Sequence, residues 1–340
     1  MLIYILVFIV SYLFSYLKKY GRILSLFILV LFIGLRFDVG TDYINYKGIY
    51  ETVKYYGFNE SGVELGYYYL NKWIDSLLGQ FWGVTIVQAI VVLGLFYYSF
   101  SKYFFYSFAL LIFLLNIDCG FVMTINTMRQ AMAIAIVFVS IEYIKEKKLL
   151  IYSILIFIAF LFHLSAIFVW PLYFMSKIKI RGNIILAIYL VVLILSIAGV
   201  WNELNLYVLS LTHYAGYVTS SFMTEVGTTS GIVIWFWRIM ALLVLISYKR
   251  ISEKYPEFIL YLNIFVLFVI SREILISNFL LYRMRLYLQW TEFLVYPLFF
   301  SLYQVHLRRL LECLFIVMMV LVFLKQLFTP EANLLYNSIL

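Results

Sequence analysis

Charge is scarce in this sequence. Only 12% of its 340 residues are Asp, Glu, Lys or Arg, about half the share of a soluble domain, which excludes a solvated globular surface. Cysteine is nearly absent too: Cys119 and Cys313 stand far apart in apolar sequence without ligand spacing, so neither a disulfide framework nor a zinc site is supported. His163, His213 and His306 are just as dispersed, and no metal or other cofactor is expected. No internal repeat, low-complexity tract or soluble domain is evident. The first apolar segment, LIYILVFIVSYLFSYL, has no basic stretch before it and no small-residue cleavage site after it, so it reads as a retained helix and not as a signal peptide.

What fills the chain is apolar. Hydrophobic residues make up 65% of it, and greasy segments near the roughly 20 residues that cross a bilayer recur from end to end. The expected fold is all-α, a polytopic transmembrane helical bundle of about 12 helices. An outer-membrane barrel would alternate with period two instead. The net charge of +8 would suit nucleic acid, but the basic residues fall in short clusters between apolar segments: Lys18, Lys19 and Arg22; Lys102; Lys145, Lys147 and Lys148; Lys177, Lys179 and Arg181; Lys249, Arg250 and Lys254; Arg308 and Arg309. The positive-inside rule makes these loops cytoplasmic, and no nucleic-acid partner is expected. Two crossings between successive clusters place the spans near 2–17, 23–35, 82–100, 103–118, 128–143, 149–162, 165–176, 183–200, 231–247, 257–271, 288–304 and 310–325. Residues 1–340 then form one integral membrane domain in a plasma membrane, both termini outside, with exterior loops at about 36–81 and 201–230. The stretch around His163 and Ser165 reads as a tight hairpin; the alternative is one long helix that inverts everything downstream. Within the first loop, VELGYYYLNKWIDSLL has the spacing of an amphipathic helix lying on the membrane surface.

A few polar residues stand out against this background. Arginine is costly at membrane depth and tends to face a cavity or a partner. Arg36, Asp38 and Asp42 follow the second apolar segment; Asp38 and Asp42 share a face if helical, or serve a turn and a helix cap. Arg129 opens the fifth segment as a snorkelling anchor or an anion ligand. Arg238, beside Trp235 and Trp237, reads as a snorkeller or a deeper site residue. Arg283 and Arg285 point the same way if their segment is extended; two guanidiniums on one side would clamp a phosphate. A surface or ion-pair role, with Glu273 and Glu292 as partners, is the alternative. His163 marks the hairpin tip. Tyr67, Tyr68 and Tyr69 suit stacking on sugar rings.

The order and spacing of RFDVGTDYINY, VELGYYYLN, MRQAMAIAI, AFLFHLSAI and YRMRLYL resemble the EpsG family of polytopic bacterial membrane proteins, which is similar to the Wzy-type polysaccharide polymerases. The resemblance covers about residues 30–290. It implies polymerisation of polyprenyl-diphosphate-linked oligosaccharide at the outer face of the plasma (inner) membrane, for exopolysaccharide or capsule. It draws attention to Arg36, Asp38, Gly40, Asp42, Tyr46, Glu64, Arg129, Gln130, His163 and Arg283, whereas Arg238 and Arg285 rest on physical argument alone.

The expected mechanism is an inverting, metal-independent glycosyl transfer. Arg129 and Arg283, with Arg285, Arg36 and Arg238 as further candidates, would bind the diphosphate and stabilise the charge of the leaving group. His163, Asp38 or Asp42 would take the acceptor's proton, and Tyr46, Glu64 and Gln130 would touch substrate. The partners implied are the lipid-linked donor, the growing polysaccharide, membrane lipid and a regulator of chain length. The competing expectations are a flippase for the same lipid-linked sugars and a membrane O-acyltransferase acting on the polymer.

Overall fold

The computed structural model describes residues 2–177, 181–211, 231–275, 279–329 and 332–339. Among the described residues the fold is all-α, and the only strand-like pairing is a single antiparallel bridge between Arg36 and Ser338. The chain groups into two compact units, Met1–Tyr173 with Glu312–Leu340, and Phe174–Leu311.

The first unit holds α1 (Leu2–Ser15), α2 (Lys18–Gly34), α3 (Tyr43–Tyr55), α4 (Phe58–Ser61), α5 (Leu65–Leu78), α6 (Phe81–Phe100), α7 (Tyr106–Leu115), α8 (Phe121–Asn126), α9 (Met128–Lys145) and α10 (Leu149–Phe162), followed by a 3₁₀ run, Leu164–Lys177, whose residues up to Tyr173 belong to this unit. At its centre is α9, which packs against both α6 and α10. Its alternating alanines, Ala131, Ala133 and Ala135, are fully buried, and side chains this small let neighbouring helices approach closely where apolar burial alone gives no drive to associate. The outer helices show the opposite pattern. On α1, Leu2, Leu6, Ile9 and Leu13 are exposed while Tyr4, Phe8, Ser11 and Ser15 are buried. A continuous outward apolar stripe of this kind is suited to lipid, not water.

The second unit holds α11 (Gly182–Ile197), α12 (Val200–Ser210), α13 (Gly231–Ile246), α14 (Tyr248–Lys254), a 3₁₀ turn (Pro256–Phe258), α15 (Ile259–Ile274), α16 (Phe279–Gln289) and α17 (Glu292–Phe300). The last helix, α18 (Val305–Leu327), runs from this unit's segment into the first. The expected loop at 201–230 begins as α12, and residues 212–230 lie outside the described residues.

The apolar segments expected from sequence are helical, but most are shorter than a full crossing. Among the described residues, Phe81–Phe100 and Val305–Leu327 are each long and apolar enough to span a bilayer, and the bent pairs α11 with α12 (78°) and α13 with α14 (56°) qualify only when taken together. Two expected spans are interrupted. In 103–118 the helix stops at Leu115, because Asn116 Oδ1 accepts the N–H groups of Asp118 at 3.0 Å and Cys119 at 2.9 Å and turns the chain into α8. In 288–304 the break falls between α16 and α17. There Trp290 Nε1 donates to Tyr287 O and Thr291 Oγ1 to Leu288 O, both at 2.7 Å, and take carbonyls that a continuous helix would use.

The hairpin at His163 is present. Tyr152 Oη donates to Val169 O at 2.6 Å and Trp170 Nε1 to Ser153 Oγ at 2.9 Å. The 3₁₀ run therefore folds back along α10, and one long helix is excluded.

Candidate functional site

The loop RFDVGTD is fixed by two features of its sequence. Arg36, fully buried, donates from Nη1 to Ile33 O at 2.7 Å and from Nη2 to Ile125 O at 3.0 Å, so its guanidinium ties the end of α2 to the end of α8. Burial pulls this guanidinium down to about 10, with Tyr43, Tyr67, Tyr4 and Tyr46 pulling back, and it stays cationic at neutral pH. Gly40 has φ +101° and lies so close to Asn126 that an added Cβ would fall 2.5 Å from Asn126 Oδ1. Only glycine meets both demands. Thr41 N then donates to that same Oδ1 at 3.1 Å.

From this anchor α3 and α5 pack together over a buried aromatic cluster that includes Tyr43, Tyr46, Tyr50, Tyr67, Phe81 and Met128. A polar clip closes the outer side. Tyr50 Oη donates to Asp75 Oδ1 at 2.6 Å and Lys54 Nζ pairs with the same oxygen at 2.9 Å. The Tyr50 hydroxyl first and then Lys54 hold the Asp75 carboxyl below its usual range, while Asp75 holds the Lys54 ammonium up. The expected amphipathic helix is α5: Tyr67, Asn71 and Ile74 face the core while Tyr69, Trp73 and Leu77 are exposed.

Glu64, just before α5, joins three elements. Its Oε2 accepts from Arg129 Nη1 at 2.6 Å and its Oε1 from Leu164 N at 3.3 Å. Arg129 lies in the first turn of α9, its guanidinium 6.0 Å from the Tyr46 ring centre and its backbone N–H 3.5 Å from Tyr46 Oη. Leu164 follows His163, whose Nδ1 shares a 2.7 Å hydrogen bond with Ser165 Oγ. The approach of α5 to α10 depends on Gly66, where an added Cβ would lie 2.7 Å from Leu161 O. Arg129, Glu64, Tyr46 and the tip carrying His163 thus form one half-buried constellation, with Gln130 buried beside it. Arg129 turns its charge to a carboxylate.

The other expected residues are placed differently. Asp38 is exposed with φ 51°, and Asp42 occupies the cap position of α3 without a side-chain cap hydrogen bond. The two do not share a helical face. Arg283 and Arg285 lie within α16, where positions two apart point roughly 200° from each other, so the side-by-side arrangement of an extended segment is absent. Arg283 is half-buried; Arg285 is buried with its guanidinium 4.0 Å from the Tyr282 ring centre.

Glu273 and Glu292 pair with other arginines. Arg238 donates to Glu273 Oε2 from Nε at 3.0 Å and from Nη2 at 2.8 Å, with Ser196 Oγ 3.1 Å from the latter nitrogen. It is therefore a buried ion-pair residue and not a snorkeller. Arg272 Nη1 lies 3.8 Å from Glu292 Oε1, which also accepts from Tyr296 Oη at 3.1 Å. Sequence reasoning noticed these charges in apolar context but not their pairing, since Arg238 and Glu273 are 35 positions apart. Among the described residues no cluster of potential metal ligands is present.

A comparison with family models finds the EpsG family, matched over residues 19–338. No curated protein and no solved structure matches the chain.

Proposed function

The chain belongs to the EpsG family of exopolysaccharide-biosynthesis membrane proteins, and from that premise we propose that it joins polyprenyl-diphosphate-linked oligosaccharides into exopolysaccharide or capsule at the outer face of a bacterial plasma membrane. The reaction is an inverting glycosyl transfer. The acceptor hydroxyl oxygen attacks the anomeric carbon and its proton passes to a base; the bond from that carbon to the diphosphate breaks, and the electron pair leaves with the polyprenyl diphosphate. The leaving group is already activated, so stabilising its charge is the main task, and fixed guanidiniums suit it.

The observation that carries this reading is the constellation of Arg129, Glu64, Tyr46 and the His163 tip. It combines a half-exposed guanidinium, a carboxylate and an imidazole around a loop rich in tyrosine. Arg129 binds the diphosphate, with Arg283 as the second candidate. Arg285 and Arg238 are more enclosed, and Arg36 holds the loop in place. His163, Asp38 and Asp42 are the candidates for the base. For His163 to accept a proton at Nε2, Nδ1 must carry its hydrogen and donate to Ser165 Oγ. Tyr46, Glu64 and Gln130 flank the donor.

The test is to supply the purified protein, reconstituted in sealed lipid vesicles, with lipid-linked repeat units and to look for a ladder of products. Movement of the donor across the bilayer without a ladder would instead favour a flippase, the reading that the two bent helix pairs of the second unit support.

A further inference from the structure

The Glu64–Arg129 pair is an unusual way to leave an anion-binding group. Arg129 sits at the positive end of α9, its side chain 26% exposed, while the Glu64 side chain that covers it is 10% exposed. Among the described residues two guanidiniums, Arg36 and Arg129, serve this cluster, and Glu64 is the one carboxylate in ion-pair range of either. Several buried donors of the cluster, Arg36 Nε among them, are not used. Arg129 Nε is buried without a hydrogen-bond partner, and so is the hydroxyl of fully buried Tyr67, whose ring lies 5.7 Å from that of Tyr46.

We propose that Glu64 is a displaceable internal stand-in for the anionic group of the ligand: a diphosphate arriving at Arg129 expels the carboxylate, and this releases the His163 tip. The coupling follows from the two oxygens of one side chain. Oε2 holds Arg129 and Oε1 holds Leu164 N, so Glu64 cannot swing away from the first without weakening the second. A diphosphate can offer Arg129 two oxygens and more charge than a carboxylate, which favours the exchange. Glu64 is then a positioning residue that ties donor binding to the mobility of the tip. The inference rests on the diphosphate reading of Arg129 but needs neither acceptor nor polymerisation.

The experiment titrates inorganic pyrophosphate, free of divalent metal, into the full-length protein in lipid discs by calorimetry. Glu64→Gln should bind about tenfold more tightly than the wild type, the scale on which losing a partly buried competing ion pair acts, and Arg129→Lys should lose binding. Equal or weaker binding by Glu64→Gln overturns the proposal. A second measurement needs no variant: pyrophosphate should speed hydrogen exchange at the Leu164 amide, from which Glu64 Oε1 accepts at rest, severalfold, and an unchanged rate overturns the proposal. A protein that passes both tests and yet makes no polymer refutes the polymerase reading alone. One that makes polymer but fails both keeps its activity and loses this switch.

Discussion

Arg36 and Arg129 bring the same guanidinium to different surroundings, and the surroundings decide what each can do. Arg36 is enclosed and gives its terminal nitrogens to carbonyls, whereas Arg129 is partly open and bound to the Glu64 carboxylate. If Arg129 or Arg283 holds diphosphate by paired hydrogen bonds, Lys should fail nearly as badly as Ala at that position, because a compact ammonium cannot reproduce the planar fork. We expect each Arg→Lys variant to lose at least about 10²-fold in turnover at normal protein abundance; full polymer from both would reduce the arginines to charge anchors. The base separates in the same way. One of His163→Ala, Asp38→Asn and Asp42→Asn should lose about 10² to 10⁴-fold in turnover while still binding the lipid-linked donor. A histidine base also makes the rate fall as pH drops through the ordinary imidazole range near about 6.5. Near-normal rates from all three variants would leave leaving-group stabilisation as the whole of catalysis.

At the scale of elements, the site exists because α5 touches α10. Gly66→Ala places a methyl group against the backbone of Leu161, which cannot rotate aside. We expect a loss of about 1–3 kcal/mol, read as a lower unfolding temperature, together with reduced polymer, since Glu64 is drawn away from Leu164. The clip between α3 and α5 gives a pH signature. Asp75 has a depressed pKa in the folded protein, so its stabilisation is present above the unfolded value of about 4 and is lost as pH falls through the lower folded value. Lys54, raised, contributes below its unfolded value and loses that contribution as pH climbs through the folded one. Once the intrinsic slowing of exchange at low pH is divided out, the protection of residues 43–78 against hydrogen exchange should therefore fall when the medium is acidified below about pH 4. Asp75→Asn should exchange faster at neutral pH and lose most of this acid step; an acid step of unchanged size would show that another group controls the loop.

At the scale of the molecule, the two ends of the chain meet. Phe37 N donates to Asn337 O at 2.9 Å, Gly40 N to Asn333 O at 2.7 Å and Ile339 N to Leu35 O at 3.1 Å. The Tyr336 ring stacks on Phe32 at 4.2 Å and meets Tyr4 edge-on at 6.0 Å. The C-terminal tail is thus a strap over the RFDVGTD loop, on the side of the bundle where α1 begins. Removing residues 332–340 sacrifices the burial of Leu334 and part of Tyr336, about 2 kcal/mol, which should raise the opening frequency of the loop more than about tenfold. Impermeant maleimide applied from outside should label Asp38→Cys in whole cells, and faster after truncation. Labelling only in inverted vesicles would reverse the orientation expected from the basic clusters.

Some of this was legible in the sequence because it depends on composition and short-range order. Apolar content and the roughly 20-residue periodicity require helices in lipid, where every backbone group must be bonded within its own segment. The spacing of VELGYYYLNKWIDSLL marks α5, and the breaks around His163 mark a tip. RFDVGTD stands out in the sequence as a charged stretch after the second apolar segment, whereas the burial of its arginine and the positive φ of its glycine are seen only in the structure. What the tertiary structure alone decided is which charge meets which. Glu64 and Arg129 are 65 positions apart, Asn333 and Gly40 are 293 apart, and Arg238 chose Glu273 over any nearer carboxylate. Pairing over such separations depends on how helices pack, and packing is set by the shapes of many small contacts that leave no local periodicity. The same holds for Arg283 and Arg285: the pattern of residues could not say whether their segment was extended or helical, and the helix turns their side chains apart.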